Sequence, residues 1–447
     1  MKFRFIIPIF LLLMMSSCSI GPSQKSVYNP VSKPTSEFQE ELKYVREWNE
    51  MLYHHIKHQV VGPPIAARMY GYLGLTFYES VVGGMPDHYS LSGQLNDFSA
   101  LPTTDPSLEY DWPSVMIEAL YYVCDELLSR FLSGSDKTLS GLHQAQKADR
   151  SGKIAPEVFD RSLVFGKLLS EEILKWAATD NYDDTRFKFY KTPPRIDHPE
   201  YWEPTDFNMK ALEPFWPTLR PFVLDNANVC PMDLPHPYSE EEGSGFYLQA
   251  KAVLDADQNL TEQQREDALY WADCPGETAT PPGHWSFILG YVSEEQSLNL
   301  AEAAEMYALA GIGIADAFIQ CWYTKYDINL VRPKTYIREV FGLEEWEPFV
   351  ITPPFPEFTS GHSTVSGCVA ELLTMHMGDD ITFTDSTHVR IGLPPRSFRS
   401  FREAAQQAAD SRLYGGMHYP MANEAGVEQG RCIAKQIYAN IKLKEEQ

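Results

Sequence analysis

The sequence is poor in basic residues, and this shortage excludes several kinds of partner. It has 37 Lys and Arg against 61 Asp and Glu, so the formal net charge is −24 over 447 residues. Nucleic acids and anionic membranes are bound through basic patches, so the chain is not a general binder of either. A small basic cluster inside an acidic protein is still compatible with this balance.

The sequence also lacks an apolar run of the roughly 20 residues that cross a bilayer. Its first apolar run, residues 5–15, follows a basic N-terminus and precedes small residues and Cys18, a pattern typical of a secretory signal. The residues around Cys18 resemble a bacterial lipobox, in which the cysteine becomes the acylated first residue. We therefore expect a signal peptide over residues 1–17 and lipid attachment at Cys18.

Residues 18–37 are rich in Ser, Pro and Lys and are predicted to form a flexible, lipid-anchored tether. Ser19, rather than Asp, follows the cysteine, which favours sorting to the outer membrane. We expect an exported protein that faces the periplasm or the cell surface. Its lipid anchor is the only membrane contact that the sequence predicts.

Paired metal-binding cysteines are missing as well. None of the seven cysteines forms a Cys-x-x-Cys pair, which argues against a zinc ribbon. An exported protein can form disulfides. Cys230 and Cys274 lie in loop-like sequence and are the predicted pair, whereas the other mature cysteines fall in apolar helical patterns and are predicted to be buried thiols.

Alternating strand patterns are scarce, whereas helical patterns fill most of the chain. Apolar residues recur at spacings of three and four in ten segments. These predicted helices cover residues 38–60, 66–82, 112–132, 156–177, 240–256, 261–271, 294–324, 362–377, 399–414 and 421–443. The sequence thus predicts an all-α fold, a large helical bundle with long Pro-rich loops.

No repeat and no clear linker divides the chain after the tether. We expect a single helical domain over residues 38–447, with a scaffold half at about 38–257 and a site-bearing half at about 258–447. The second half carries basic residues in loops and at helix ends. Functional residues concentrate on such loops when a rigid scaffold holds them.

Three segments of the second half could together hold a tetrahedral oxyanion. Lys325, Arg332 and Arg412 supply positive charge and N–H donors. Ser360 adds a hydroxyl, and Gly361 lets the backbone approach a ligand closely. A helix that begins at about His362 would add further N–H donors and the positive end of its dipole.

Two histidines accompany these donors. The ring nitrogens of His362 and His418 can ligate or attack a central atom and can exchange protons near neutral pH. The three segments read Lys-x6-Arg-Pro, Ser-Gly-His and Ser-Arg-x5-His, in that order, within residues 325–418. They resemble the superfamily of vanadium-dependent haloperoxidases and type 2 phosphatidic acid phosphatases, and the likeness continues over roughly residues 40–440.

The resemblance implies a role for each matching residue. His418 would ligate vanadium axially, or act as the nucleophile that forms a phosphohistidine, and His362 would be the acid–base residue. Asp273 stands where haloperoxidases place a carboxylate that pairs with the acid–base histidine. Five residues would hold the oxygens of the oxyanion: Lys325, Arg332, Ser360, Gly361 and Arg412.

One position departs from the family pattern. The family often has an Asp four residues after the final histidine, and this chain has Ala422 there. A ligating or nucleophilic histidine is oriented by a partner on its second nitrogen, and Asn423 or a backbone carbonyl could substitute for the Asp. The departure weakens the phosphatase interpretation more, because a nucleophile depends more on that partner.

Three functions stay open on the sequence. The favoured one is a vanadate-dependent haloperoxidase that oxidises a halide with hydrogen peroxide, because residues 271–285 look like soluble haloperoxidases and Phe355 stands where chloroperoxidases have Phe. The alternative is a periplasmic acid phosphatase, which would hydrolyse phosphomonoesters without a cofactor. The third is a non-catalytic lipoprotein that binds an oxyanion.

Overall fold

The computed structural model describes residues 37–85, 87–99, 101–131, 137–206 and 209–445. The predicted signal peptide, Cys18 and all but the last residue of the predicted tether lie outside these residues. Within the described ranges, none of the helices is both long and apolar enough to cross a membrane.

Helices dominate the fold, which confirms the predicted all-α bundle. The described residues form fourteen of them: α1 (Glu37–His58), α2 (Pro63–Val81), α3 (Trp112–Leu128), α4 (Lys137–Ser151), α5 (Pro156–Ala177), α6 (Tyr182–Thr185), α7 (Gly245–Gln258), α8 (Glu262–Tyr270), α9 (Thr280–Glu295), α10 (Leu300–Ile328), α11 (Pro333–Val340), α12 (Gly361–Met377), α13 (Phe401–Tyr414) and α14 (Pro420–Asn440). Two short strands, β1 (Phe383–Asp385) and β2 (Arg396–Phe398), pair antiparallel.

Two helices of the core, α2 and α10, pack closely against each other. A Cβ added to Gly74 of α2 would lie 2.2 Å from the carbonyl oxygen of Tyr307 in α10, so only glycine permits this approach. The buried carboxylate of Asp316 fixes the middle of α10, because it accepts hydrogen bonds from the backbone N–H groups of residues 222–224. Lys325 therefore projects from a firmly held helix.

The helices beside the two histidine motifs pack equally closely. A Cβ added to Gly430 of α14 would lie 2.3 Å from the carbonyl oxygen of Thr364 in α12. The N–H of Ser360, just before α12, donates to the carbonyl oxygen of Ala422 in α14 at 3.0 Å. The N-terminal ends of α12 and α14 therefore meet, and they bring the Ser-Gly-His motif next to the segment that ends in the second histidine.

The disulfide differs from the predicted one. Cys230 pairs with Cys432 of α14, not with Cys274, which is a thiol in the loop before α9. The loop that contains Cys230 lies against α14. The carbonyl oxygen of Cys230 accepts a hydrogen bond from Nε2 of Gln429 in α14 at 3.3 Å. The predicted Cys230–Cys274 pair is therefore wrong. The helical pattern around Cys432 predicted a buried thiol, but Cys432 lies on the face of α14 that this loop covers.

Candidate active site

The loop before α12 places the Ser-Gly-His motif at a helix N-terminus. Ser360 is the N-cap of α12, and its Oγ accepts hydrogen bonds from the backbone N–H of Ser363 at 3.4 Å and from its hydroxyl at 2.8 Å. A Cβ at Gly361 would lie 3.6 Å from Trp322 and 3.9 Å from Cε of Lys325, so glycine keeps the space between these groups open. The first turn of α12 can offer its N–H groups to an anion there.

Lys325 is fully buried in the last turn of α10 and holds the same loop. Its Nζ donates to the carbonyl oxygens of Pro356 at 3.1 Å and Glu357 at 2.9 Å and, in a shorter contact, to that of Thr359. Burial lowers the pKa of Lys325 to about 7, and the charge of Arg332 adds to the shift. All three ammonium donors face carbonyl oxygens, so Lys325 must redirect one of them to contact an oxyanion.

Arg332, the N-cap residue of α11, is fully buried beside the final histidine. Its Nε donates to the carbonyl oxygen of Phe355 at 2.9 Å and its Nη1 to that of Met417 at 3.0 Å, and Nη1 also lies 3.2 Å from Nε2 of His418. Its Nη2 is buried and forms no hydrogen bond with any residue that the structure describes. A buried N–H without an acceptor costs free energy, so this donor suits an anion.

Arg412 brings the third positive charge from the last turn of α13. The side chain is buried, and its Nη1 donates to the carbonyl oxygen of Trp271. Its Nη2 lies 2.7 Å from the thioether sulfur, Sδ, of Met417. The guanidinium is thereby held between the loop after α8 and the residue that precedes His418.

A carboxylate that the sequence analysis does not single out orients His418. Oε1 of Glu357 accepts hydrogen bonds from Nδ1 of His418 at 2.8 Å and from the backbone N–H of Tyr419 at 2.9 Å. Because Nδ1 donates, Nε2 carries the lone pair and faces Arg332. Glu357 thus supplies the orienting partner that Ala422 cannot. Burial raises the pKa of Glu357 to about 7 and lowers the pKa of His418 well below its ordinary value.

His362 lies in the first turn of α12, and its Nε2 has no hydrogen-bond partner among the residues described. Asp273 does not pair with it as predicted. The Asp273 carboxylate instead accepts a hydrogen bond from Nδ1 of His284 at 2.9 Å and lies 3.3 Å from Nε2 of His388, because α9 inserts an imidazole at this point. Burial and the charge of Arg412 lower the pKa of His362 well below its ordinary value, which favours the neutral form of the ring.

His284 is held between two buried carboxylates. Its Nε2 donates to Asp385 at 2.7 Å, which also accepts a hydrogen bond from the hydroxyl of Tyr270 at 2.7 Å. Burial alone would lower the pKa of His284, but the two carboxylates outweigh it and raise the pKa to about 10. One ligand atom each of Asp273, His284 and His388 lie close enough together to hold a metal ion. His284 already donates one N–H to Asp273 and the other to Asp385, so these residues form ion pairs without a metal ion.

One cavity of about 470 Å³ connects the candidate residues. Its polar end is formed by Gly361, His362, Arg412 and His418, and Asp273 lies on its edge. The fully buried Lys325, Arg332 and Ser360 contact these residues or their chain neighbours. The remaining walls are largely apolar and include Pro63, Phe318, Trp322, Val350, Pro354 and Phe355. The structure therefore brings all eight predicted site residues to one place, and adds Glu357 and Met417.

Comparisons with known proteins show which families this chain resembles. A family model described as the VCPO second helical-bundle domain matches residues 305–444. The vanadium chloroperoxidase of Curvularia inaequalis is 24% identical over 414 residues, which are 77% of this chain and 67% of that protein. The crystal structure of a bacterial vanadium-dependent iodoperoxidase is 34% identical, with a TM-score of 0.85, and covers 93% of this chain and 100% of that one. A holo-type bacterial vanadium-dependent chloroperoxidase is 14% identical and has a TM-score of 0.67 over 86% of this chain and 94% of that one.

The likeness extends over nearly the whole of the described protein. The match to the iodoperoxidase spans both halves of the chain and the full length of that structure. The family model covers the segment that contains all three basic motifs. This chain belongs to the superfamily of vanadium haloperoxidases.

Proposed function

We propose that this protein is a vanadate-dependent haloperoxidase that uses hydrogen peroxide to oxidise a halide in the 470 Å³ cavity. The observation that carries the proposal is the buried Nη2 of Arg332, which has no acceptor among the described residues and belongs to the guanidinium whose Nη1 lies 3.2 Å from Nε2 of His418. The positive side chains of Lys325 and Arg412 belong to the same group of residues. Glu357 contributes a carboxylate to this group and pairs with His418. An oxyanion supplies the acceptor and the negative charge that this group requires.

The residues fit vanadate, which when bound supplies a Lewis-acidic centre that activates peroxide. His418 would ligate it through Nε2, because Glu357 keeps the proton on Nδ1. Arg332, Arg412 and the first-turn N–H groups of α12 would donate to its oxygens. Lys325 would add charge and, after redirecting one N–H, a further donor.

His362 is placed to move the proton. Its Nε2 has no protein partner among the residues described, and the ring lines the cavity. It can accept a proton from hydrogen peroxide and later return it to the oxygen that leaves as water. The rings of Trp322 and Phe355 contact each other and line the same cavity, and this apolar wall suits a large, weakly hydrated halide.

Halide oxidation tests the proposal directly. The purified chain, loaded with vanadate, should oxidise iodide or bromide when hydrogen peroxide is added. His418→Ala should lower the rate by about 100-fold or more, since it removes the ligating nitrogen. His198→Ala, at an exposed histidine bonded to Glu200, is the matched control and should keep the rate. Unchanged oxidation in His418→Ala would overturn the proposal.

Phosphomonoester hydrolysis is the second candidate, and one observation favours it. Glu357 gives His418 the carboxylate partner that a histidine nucleophile needs. Hydrolysis of p-nitrophenyl phosphate without vanadate, lost in His418→Ala and inhibited by vanadate, would replace the haloperoxidase proposal with this one. Tight binding of vanadate or phosphate without turnover in either assay would instead favour the non-catalytic binding module.

We also propose that the protein is exported and held on the outer membrane by a lipid on Cys18, its one membrane contact. This proposal rests on the sequence before residue 37. A labelled fatty acid should be incorporated into the wild-type chain and not into Cys18→Ala, and the labelled protein should fractionate with the outer membrane. Labelled protein found only in the inner-membrane fraction would contradict the sorting.

A further inference from the structure

Sulfur atoms line the cavity together with the charged groups. Met209, Cys274 and Met417 all contribute to its walls. Met417 differs from the other two because it belongs to the oxyanion-binding group itself. Its Sδ lies 2.7 Å from Nη2 of Arg412, its carbonyl oxygen accepts a hydrogen bond from Nη1 of Arg332, and it directly precedes His418.

In the contact between Met417 and Arg412, a strong hydrogen-bond donor, the guanidinium, faces a weak acceptor, the thioether sulfur. A thioether sulfur accepts hydrogen bonds poorly, whereas a sulfoxide oxygen is polar and accepts them well. The rest of the Met417 side chain packs against the apolar residues Ala268 and Val350. An oxygen added on that side is costly, because its neighbours are apolar. On the side of Arg412, the 2.7 Å between Sδ and Nη2 leaves no room for an oxygen, so sulfoxidation has to push the guanidinium away from the sulfur before Nη2 can donate to the new oxygen.

We propose that Met417 is an oxidative modification site whose conversion to the sulfoxide weakens the oxyanion site and limits turnover. The inference rests on the proposed haloperoxidase function, which brings the oxidant into this cavity. When hydrogen peroxide reacts, its O–O bond breaks, one oxygen forms a bond to sulfur, and the other leaves as water. When hypohalous acid reacts, its O–halogen bond breaks, the oxygen stays on sulfur, and halide and a proton leave. In both cases sulfur loses two electrons and the oxidant gains them.

The sulfoxide oxygen would compete with the bound oxyanion for Arg412. It would accept a hydrogen bond from Nη2 and would occupy part of the polar end of the cavity. A hydrogen bond to a charged group contributes enough that its loss should raise the vanadate concentration for half-maximal activity by about tenfold. The sulfoxide is reducible by methionine sulfoxide reductases, so the change is reversible.

The test compares two methionines in one sample of the vanadate-loaded protein during iodide oxidation. Met375 is 38% exposed and lies at the far end of α12, about 20 Å along the helix from its N-terminus. Peptide mass spectrometry should show that Met417 sulfoxide rises with the number of turnovers and exceeds that of Met375. Without vanadate, peroxide alone should oxidise the exposed Met375 first.

Two further measurements decide the consequence. Protein oxidised during turnover should need about tenfold more vanadate, and treatment with methionine sulfoxide reductase should restore the original requirement. Met417→Leu has no sulfur to oxidise at this position, so it should stay active over more turnovers than the wild type. A lifetime equal to that of the wild type would overturn the proposal. If that variant does not fold, the peptide ratio in the wild-type protein decides alone.

The outcomes separate this inference from the proposed function. Iodide oxidation without enrichment of Met417 sulfoxide would overturn the modification site and leave the haloperoxidase in place. No halide oxidation at any vanadate concentration would overturn the proposed function, and the modification site with it. Enrichment of Met417 sulfoxide with a longer-lived Met417→Leu variant would support both.

Discussion

Glu357 and His418 share a hydrogen bond of 2.8 Å inside a buried pair. The bond joins the loop before α12 to the turn before α14 and fixes the orientation of the imidazole. A Gln at position 357 keeps the size of the side chain but removes its charge and can turn a donor toward Nδ1. We expect Glu357→Gln to weaken vanadate binding by about 10- to 100-fold, measured by titrating vanadate and following halide oxidation.

A remote pair of the same kind provides the control for this variant. Glu118 of α3 accepts a hydrogen bond from Nε2 of His143 in α4 at 2.7 Å. Glu118→Gln should lower stability and leave the vanadate affinity unchanged. An equal loss of affinity in both variants would mean that Glu357 acts through folding alone and does not position His418.

Most of the helices could be predicted, because long amphipathic patterns are strong signals of helix. The predicted residues 156–177 coincide with α5. The sequence does not predict α9, since its first turn contains two prolines and a glycine, which are typical of loops. Prolines are tolerated in the first turn of a helix, where their missing N–H groups have no acceptor, and burial of nearly the whole helix stabilises α9.

The oxyanion-binding residues could be predicted because their identities and spacings lie within three short motifs. The partner of His418 could not, since Glu357 precedes it by 61 residues and only the packing of α12 on α14 brings the two together. The pairing of Asp273 depends in the same way on α9, which the sequence leaves in a loop. Tertiary contacts between segments that are distant in sequence decide all of these partners.

Lys325 should make oxyanion binding sensitive to pH near neutrality. Burial lowers its pKa to about 7, so the side chain is cationic below this pH and neutral above it. The cation attracts the oxyanion, so vanadate affinity should fall as the pH rises through about 7. Dissociation constants measured across this range for wild type and Lys325→Met separate the titration of Lys325 from that of vanadate, which both samples share.

Lys334 supplies the control for this comparison. It lies in the first turn of α11 and is also largely buried, and its Nζ is 2.9 Å from a carboxylate oxygen of Glu347. Lys334→Met should keep the pH profile of the wild type. If Lys325→Met kept it as well, the pH dependence would have to come from a group other than Lys325.

The pairing of His284 with Asp385 should make stability depend on pH in a defined window. The pKa of His284 is raised to about 10, so its contribution is complete below about 6.5, its unfolded value, and is lost as the pH rises through about 10. The pKa of Asp385 is lowered to about 2, so its contribution is present above about 3.8 and is lost as the pH falls through about 2. The cluster should stabilise the fold most between about pH 4 and pH 6.5.

Urea unfolding of His284→Gln checks this window. Removing the imidazolium leaves two buried carboxylates without their shared partner, which should lower the free energy of unfolding by about 3–5 kcal/mol at mildly acidic pH. The difference from wild type should shrink as the pH approaches about 10, where the native imidazole loses its charge. His198→Gln, at an exposed histidine, should change the free energy by less than about 0.5 kcal/mol throughout. A difference for His284→Gln that stays constant with pH would contradict the ion-pair assignment.

The Cys230–Cys432 disulfide should stabilise the fold by restricting the unfolded chain. It closes a loop with a sequence separation of 202 residues and ties the segment before α7 to α14. Closing so long a loop removes much of the conformational entropy of the unfolded chain, so reduction should lower the free energy of unfolding by roughly 2–5 kcal/mol. Urea unfolding with and without a thiol reductant measures this change in the wild type. Cys432→Ser should already show the lower stability and should not respond to the reductant, whereas a further loss on reduction would mean that another disulfide contributes.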